Sequence, residues 1–155
     1  MKGGSKLPPA MMVITLVLRV LLGATLVVTG ALKVGHAAEL ASAIAGFRLL
    51  PPELIGPMSV ALPYFELLVG GYLIIGLFTR VTALVAAAQF AVYAGAIASA
   101  VLRGIPANCG CFGPHDTATA DWPHVAFDIA LAAVAAVIAA GAPGMFALDR
   151  RIKTS

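Results

Sequence analysis

Charged residues are scarce in this 155-residue chain: Asp, Glu, Lys and Arg together make up 11%, whereas hydrophobic residues make up 61%. Soluble domains keep roughly a quarter of their residues charged, and the mean hydropathy here is +0.99. The composition therefore excludes a soluble domain and indicates that the lipid bilayer is the surrounding solvent. The net charge of +3 does not indicate nucleic-acid binding, because the basic residues form no patch and are spread along the chain.

Four long apolar segments account for most of the chain. About 20 predominantly apolar residues suffice for a helix to cross a bilayer. Strands of a membrane barrel would alternate polar and apolar residues, which Leu16–Leu18 and Leu84–Ala88 do not. The sequence thus predicts an all-α membrane protein, a single integral membrane domain over residues 1–155 built as a four-transmembrane-helix bundle. The expected helices cover residues 11–32, 59–78, 82–102 and 123–142.

The links between these segments differ in length. Thr79–Val81 alone separates the second and third helices, which predicts an antiparallel hairpin. In the first link, His36–Leu49 contains apolar residues at helical spacing and is followed by Pro51 and Pro52, which stop a helix. We expect a short interfacial helix there, in the first outer loop.

The basic residues of the links predict the orientation, because Lys and Arg are enriched in cytoplasmic loops. Lys2 and Lys6 before the first segment would also suit a signal peptide, but the segment is too long and no small-x-small cleavage site follows. We expect a bacterial inner-membrane protein with both termini cytoplasmic and the 103–122 loop extracytoplasmic. The inner side would then hold Lys2, Lys6, Arg80, Arg150, Arg151 and Lys153, and the outer side Lys33, Arg48 and Arg103.

Cysteine is nearly absent: the two present, Cys109 and Cys111, flank Gly110 in the 103–122 loop. Disulfides persist on the oxidising side of a membrane. A Cys-x-Cys bridge needs a bent chain, for which Gly110 gives the backbone freedom, and such a strained ring is easily reduced. The pair therefore predicts thiol–disulfide exchange, in which one cysteine attacks and the other resolves the mixed disulfide.

Two other roles for the cysteines stay open. The bridge could be a static staple, although a small ring removes little entropy from the unfolded chain. It could instead be part of a zinc site, since His115 and His124 follow closely, but the spacing matches no common zinc pattern and we expect no metal.

Arg19, Glu66 and Asp128 lie inside the predicted helices, and Lys33 lies at the outer end of the first one. A charge at a helix centre costs about 2.5–3.5 kcal/mol on insertion scales, so these residues should face one another. We expect Arg19 to pair with Glu66 near mid-membrane, and Lys33 with Asp128 beneath the cysteine loop. The pairs either only neutralise charge, or they relay protons and lower the pKa of a cysteine.

Two further patterns concern the helix surfaces. Small residues recur every four positions on the third and fourth helices, which predicts close packing there. Several aromatic side chains could line a quinone pocket, although aromatics in membrane helices are more often interface anchors or core. The small residues are Ala83, Ala87, Ala91, Gly95 and Ser99, with Ala132, Ala136 and Ala140; the aromatics are Tyr64, Tyr72, Phe90, Tyr93 and Phe112.

Seven motifs together carry a family resemblance. They are Arg19-x3-Gly23, Gly30-x2-Lys33, Leu50-Pro51-Pro52, Leu62-Pro63-x2-Glu66, Gly76-Leu77-Phe78-Thr79-Arg80, Arg103-Gly104 and Cys109-Gly110-Cys111-Phe112-Gly113. This set resembles the MauE/DoxX group of redox-associated membrane proteins, and its cysteine element is most similar to MauE, the methylamine utilisation branch. The resemblance implies a four-helix bundle associated with thioredoxin-like or other extracytoplasmic redox proteins. It also implies Cys109 and Cys111 as the redox pair, with Arg19, Lys33, Glu66 and Asp128 as supporting residues.

The predicted function is a membrane thiol–disulfide redox protein that exchanges disulfides with a thioredoxin-like or other extracytoplasmic partner. Turnover needs a second electron partner, either a membrane quinone or another thiol protein, because a single cysteine pair cannot relay electrons internally. The alternative is a non-catalytic membrane subunit or assembly factor of a larger redox complex, whose disulfide only shapes a docking loop. A solute carrier fits less well, since four helices make a small pathway.

Overall fold

A computed structural model describes residues 8–108, 119–142 and 146–149. Within these ranges the regular secondary structure is helical, apart from one isolated bridge between Asn108 and Thr119. Four of the helices are long and apolar enough to cross a membrane. This confirms the predicted four-helix membrane fold with a short helix after the first span. The helices are α1 (Pro9–Lys33), α2 (Ala37–Gly46), α3 (Pro52–Ile75), α4 (Thr79–Leu102) and α5 (Trp122–Gly141).

The bundle has two ends, which we name by their connections. The loop end carries α2 and the described residues between α4 and α5, which are 103–108 and 119–121; the turn end carries Gly76–Phe78, between α3 and α4. The chain order makes α1 and α4 run toward the loop end, and α3 and α5 run away from it. Neighbouring spans are therefore antiparallel.

Helix α3 begins at Pro52, several residues before the expected Ser59. Pro52 is tolerated because the first N–H groups of a helix have no intrahelical partner. The helix ends at Ile75 because Gly76 adopts a left-handed φ of 71°. In this turn the N–H groups of Gly76 and Leu77 donate to the carbonyl oxygen of Tyr72 at 2.9 and 3.1 Å.

The helices pack most extensively as two pairs, α1 with α3 and α4 with α5. In the first pair the backbones touch at two glycines: a Cβ on Gly23 would lie 2.8 Å from the carbonyl oxygen of Gly70, and one on Gly70 would lie 2.7 Å from that of Gly23. Contact between α3 and α4 is much less extensive, although they are joined by a tight turn. The two pairs therefore leave space between them, which becomes the cavity described below.

The small residues that pack α4 against its neighbours differ from the predicted stripe. Ala83, Ala86 and Ala94 are buried, whereas Ala91 and Gly95 are exposed. Four residues turn a helix by about 400°, so a stripe repeating every fourth residue winds around the axis. The prediction is thus right at Ala83 and Ala87, which pack in the core, and wrong at Ala91 and Gly95. On α5, likewise, Ala132 packs against the core, whereas Ala136 and Ala140 are exposed.

At the loop end, the chain after α4 is fastened to the end of α2. Arg103 Nη2 donates to the carbonyl oxygen of Phe47 at 2.5 Å. Further on, the Ala120 N–H donates to the carbonyl oxygen of Ala107 at 2.8 Å, beside the Asn108–Thr119 bridge. The two ends of the 109–118 segment therefore meet at one place.

Candidate functional site

A buried ion pair joins α1 to α3. Lys33 Nζ lies 2.8 Å from Glu66 Oε1 and 2.9 Å from Oε2, and the two side chains are only 6% and 1% exposed. Helical side chains lean toward the N-terminus of their own helix. Because α1 and α3 are antiparallel, Lys33 leans into the bundle and Glu66 leans out toward the loop end, so that they meet.

The predicted pairs were therefore wrong: Glu66 pairs with Lys33 and not with Arg19, and Lys33 does not pair with Asp128. Arg19 lies at the turn end, where a Cβ on Gly76 would overlap its guanidinium group. Gly76 is almost three helical turns beyond Glu66, about 15 Å along the axis. Asp149 is the acid whose charge acts on Arg19. The side chain of Arg19 leans toward the start of α1, which takes it further from Glu66.

Two residues of α4 extend the ion pair into a network. The Tyr93 hydroxyl donates to Glu66 Oε1 at 2.7 Å, and Gln89 Nε2 donates to the Tyr93 hydroxyl at 2.9 Å. Lys33 Nζ also lies 5.9 Å from the centre of the Tyr93 ring. From the sequence, Tyr93 was expected only as one of several aromatic residues of a quinone pocket. Gln89 and Tyr93 are four residues apart and so lie on one helix face, and this spacing is the signal that could have linked them.

An apolar cavity of about 750 Å³ adjoins this network. All five helices contribute to its lining, and the ionisable or amide side chains on it are Lys33, Glu66, Gln89, Tyr93, His124 and Asp128. Of the aromatic residues predicted for a quinone pocket, Phe90 and Tyr93 line the cavity. Tyr64 and Tyr72 are instead 53% and 43% exposed, and Phe112 lies outside the described residues.

Asp128 enters the cavity from α5 and is 6% exposed. Its Oδ2 atom has no hydrogen-bond partner in the described structure, and neither has Oε1 of Gln89. Lys33 and His124 are the basic groups whose charge acts on Asp128. The cavity thus contains two buried oxygen acceptors without donors.

The first turn of α5 is capped at the loop end. Asp121 Oδ1 accepts from the backbone N–H of His124 at 3.1 Å and lies 2.5 Å from its Nδ1 atom. The side-chain hydrogen bond from His124, followed by the backbone one, lowers the pKa of Asp121. Within the described residues no three His, Cys, Asp or Glu side chains are grouped as metal ligands; the zinc alternative also involves His115, which lies outside them.

Cys109 and Cys111 lie outside the described residues too. Their nearest described neighbours place the root of the loop beside the cavity. Ala120, which follows the Asn108–Thr119 bridge, packs on the same small core cluster as Phe47, and Phe47 lines the cavity. Asn108 and Thr119, the described residues on either side of the cysteines, therefore lie near this cavity.

The chain is similar to known proteins along nearly all of its helical part. The family model for methylamine utilisation protein MauE matches residues 11–141, from α1 to the end of α5. The chain belongs to the MauE family. Methylamine utilization protein MauE of Paracoccus denitrificans is 32% identical over 127 residues, which cover 81% of this chain and 68% of that protein. No solved structure matches this MauE-family chain.

Membership of the MauE family and the four apolar helices agree on a multi-pass membrane protein. The outer surface of the bundle is accordingly apolar, with side chains such as Leu21, Leu68 and Val81 60%, 58% and 61% exposed. In water such a surface would be unfavourable, so lipid is the expected contact. Of the ionisable residues that line the cavity, Lys33, Glu66 and Asp128 are buried behind this surface.

Proposed function

We propose that this MauE-family protein is a thiol–disulfide redox protein of the bacterial inner membrane. Cys109 and Cys111 would exchange disulfides with a thioredoxin-like or other extracytoplasmic thiol protein. The Lys and Arg distribution supports cytoplasmic termini and an extracytoplasmic cysteine loop. The observation that carries the proposal is that Asn108 and Thr119, on either side of the cysteine segment, pair in a bridge next to a cavity lined by ionisable groups.

The proposed exchange proceeds through a mixed disulfide. A thiolate of the partner attacks the Cys109–Cys111 disulfide, and one sulfur of the pair leaves with the electron pair of the broken bond. The second thiolate of the partner then displaces the remaining cysteine, which leaves an oxidised partner and a reduced pair. Two electrons and two protons have moved, and His124 and Asp128 on the cavity wall are candidates to exchange the protons.

Two considerations indicate the kind of redox partner: the chemistry of disulfide exchange and the name of the Paracoccus denitrificans relative. Exchange requires a soluble or anchored protein with a reactive dithiol that can reach the membrane surface. Since the Paracoccus denitrificans relative is named for methylamine utilization, we look for this partner among the proteins of that process.

A second candidate function is a non-catalytic membrane subunit or assembly factor. It is favoured by small residues on the lipid-facing surface, where another helix can approach closely: Ala91 on α4, and Ala136 and Ala140 on α5, are exposed. In that case the disulfide would only shape the loop. The two functions differ in how easily the disulfide is reduced.

The test is the reduction potential of the Cys109–Cys111 couple in the purified full-length protein. Glutathione buffers set the potential, and a heavy maleimide counts the free thiols. A value near or above about −230 mV supports exchange, whereas a bridge still closed below about −300 mV identifies a structural staple and favours the subunit.

Trapping gives a second readout. Cys109→Ser and Cys111→Ser, made separately, should each abolish turnover, and one of them should accumulate a mixed disulfide with the partner that the double variant lacks. A membrane-impermeant maleimide applied to intact cells tests the orientation, since it labels the cysteines only if the loop is extracytoplasmic.

A further inference from the structure

Two hydrogen-bond acceptors on the cavity wall have no donor in the described structure. Asp128 Oδ2 and Gln89 Oε1 both line it without a hydrogen-bond partner in the described chain, and the residues are 6% and 7% exposed. Buried acceptors left unpaired are costly, so such groups are expected to have a partner in the working protein. A ligand that supplies hydrogen-bond donors would satisfy both.

The polar side chains next to these two acceptors are already paired with one another. Lys33 donates to both oxygens of Glu66. Tyr93 donates to Glu66 and accepts from Gln89. The unused acceptors of Asp128 and Gln89 therefore determine which polar group a ligand must present.

The charge and the lining of the cavity narrow the range of ligands further. With His124 neutral, the lining carries two carboxylates against the single cation Lys33, which disfavours anionic molecules such as fatty acids. Most of the remaining wall is apolar and includes the aromatic side chains of Phe65, Phe90 and Phe127. A neutral aromatic ring with hydroxyl donors and an apolar tail meets these requirements.

We propose that the cavity binds a lipophilic quinol, whose ring hydroxyls donate to the Asp128 carboxylate and to the Gln89 amide oxygen. This rests on the proposed function, in which a quinone accepts two electrons and two protons from the dithiol of Cys109 and Cys111, forming quinol and the disulfide. The oxidised ring has only acceptors, so the site prefers the reduced form. A tenfold preference raises the potential of the bound quinone couple by about 30 mV, which favours reduction of the quinone.

Binding is tested with the full-length protein in phosphatidylcholine nanodiscs at pH 8, with decylubiquinol and decylubiquinone as probes. The amount retained above that of empty nanodiscs gives the affinity of each form. Cys109→Ser together with Cys111→Ser forms the background, so that the pair cannot oxidise the probe. We expect quinol to bind at least tenfold more tightly than quinone.

Asp128→Asn is the informative variant, because an amide replaces one carboxylate oxygen by a group with N–H donors. We expect quinol to bind about tenfold more weakly and quinone more tightly, whereas a merely structural role would move both affinities in the same direction. Glu53→Gln makes the same chemical change in the first turn of α3, outside the cavity, and should change neither. Gln89→Met, which removes the other acceptor, tests the same preference if the first variant fails to fold.

Three results would overturn the quinol site: equal affinity for both forms, no saturable binding above empty nanodiscs, or an Asp128→Asn effect equal to that of Glu53→Gln. The second would mean that phospholipid fills the cavity. Because binding is measured without cysteines, its failure is separate from that of the proposed function. If quinol binds but the Cys109–Cys111 disulfide stays closed below about −300 mV, the proposed disulfide exchange is refuted and the quinol site is not.

Discussion

Removing one partner of the Lys33–Glu66 pair should destabilise the bundle strongly. Glu66→Gln leaves the ammonium group buried, and Lys33→Met leaves the carboxylate, at sites 6% and 1% exposed in the native protein. Breaking a buried ion pair costs about 3–5 kcal/mol, and an unpaired charge inside a span costs about 2.5–3.5 kcal/mol on insertion scales. We expect each single variant to lose about 3 kcal/mol of unfolding free energy.

The double variant separates the interaction from the cost of burial. Lys33→Met with Glu66→Gln leaves no charge, and the amide oxygen of the introduced glutamine can still accept from Tyr93. Hydrogen bonds to charged groups contribute about 1.5–3 kcal/mol each, and the native pair has two, at 2.8 and 2.9 Å. The loss in the double variant should therefore be at least about 2 kcal/mol smaller than the sum of the single losses.

The assay is reversible unfolding in mixed detergent micelles with increasing dodecyl sulfate, followed by circular dichroism at 222 nm. Glu53→Gln, which neutralises an exposed carboxylate on the same helix, is the matched control and should stay within about 0.5 kcal/mol of the native protein. Additive losses in the double variant, or single variants no worse than Glu53→Gln, would refute the reasoning.

Three further predictions concern the rest of the bundle. Gly23→Ala, whose Cβ would lie 2.8 Å from a carbonyl oxygen of α3, should cost about 1–3 kcal/mol in the same assay, while Gly71→Ala, with nothing within 4 Å, should not. Asp149→Ala removes the acceptor of two N–H groups at the start of α4 and should cost about 1 kcal/mol, with partial recovery in Asp149→Asn. The pKa of Asp121 is lowered in the folded protein, so its stabilising hydrogen bonds to His124 are present above the unfolded pKa of about 3.9 and are lost as the pH falls through the lower folded pKa. Amide hydrogen exchange at the start of α5 should become faster in that pH range. The Asp121→Asn variant should not show this pH-dependent change.

The four spans could be predicted from the sequence because bilayer thickness and hydropathy decide them almost alone. The start of α3 could not, since Pro57 lies inside that helix just before the expected start at Ser59, and proline ordinarily argues for a break. Within a membrane bundle, neighbouring helices make such prolines tolerable. Composition thus fixes the number of helices better than it fixes where each begins.

The ion pair was missed for a different reason. Depth along each helix, which spacing gives, placed Arg19 and Glu66 at similar levels. The register of α1 against α3 depends instead on where their backbones touch, and Gly23 opposite Gly70 sets it. Adding the lean of side chains toward the helix N-terminus to that register would have selected Lys33. The direction of a side chain was therefore as informative as its depth.

The network and the cavity are two consequences of one packing arrangement. Helices α3 and α4 have little contact with each other. In the described structure, the hydrogen bonds of Glu66 to α4 are those to Tyr93 and Gln89. The space left between the two helix pairs is the cavity. A change at Glu66 must then disturb stability and site together, so loss of activity in Glu66→Gln would say nothing about chemistry. Asp128 borders the same cavity but has an oxygen outside this network. It is the residue at which ligand recognition can be altered while the bundle stays intact.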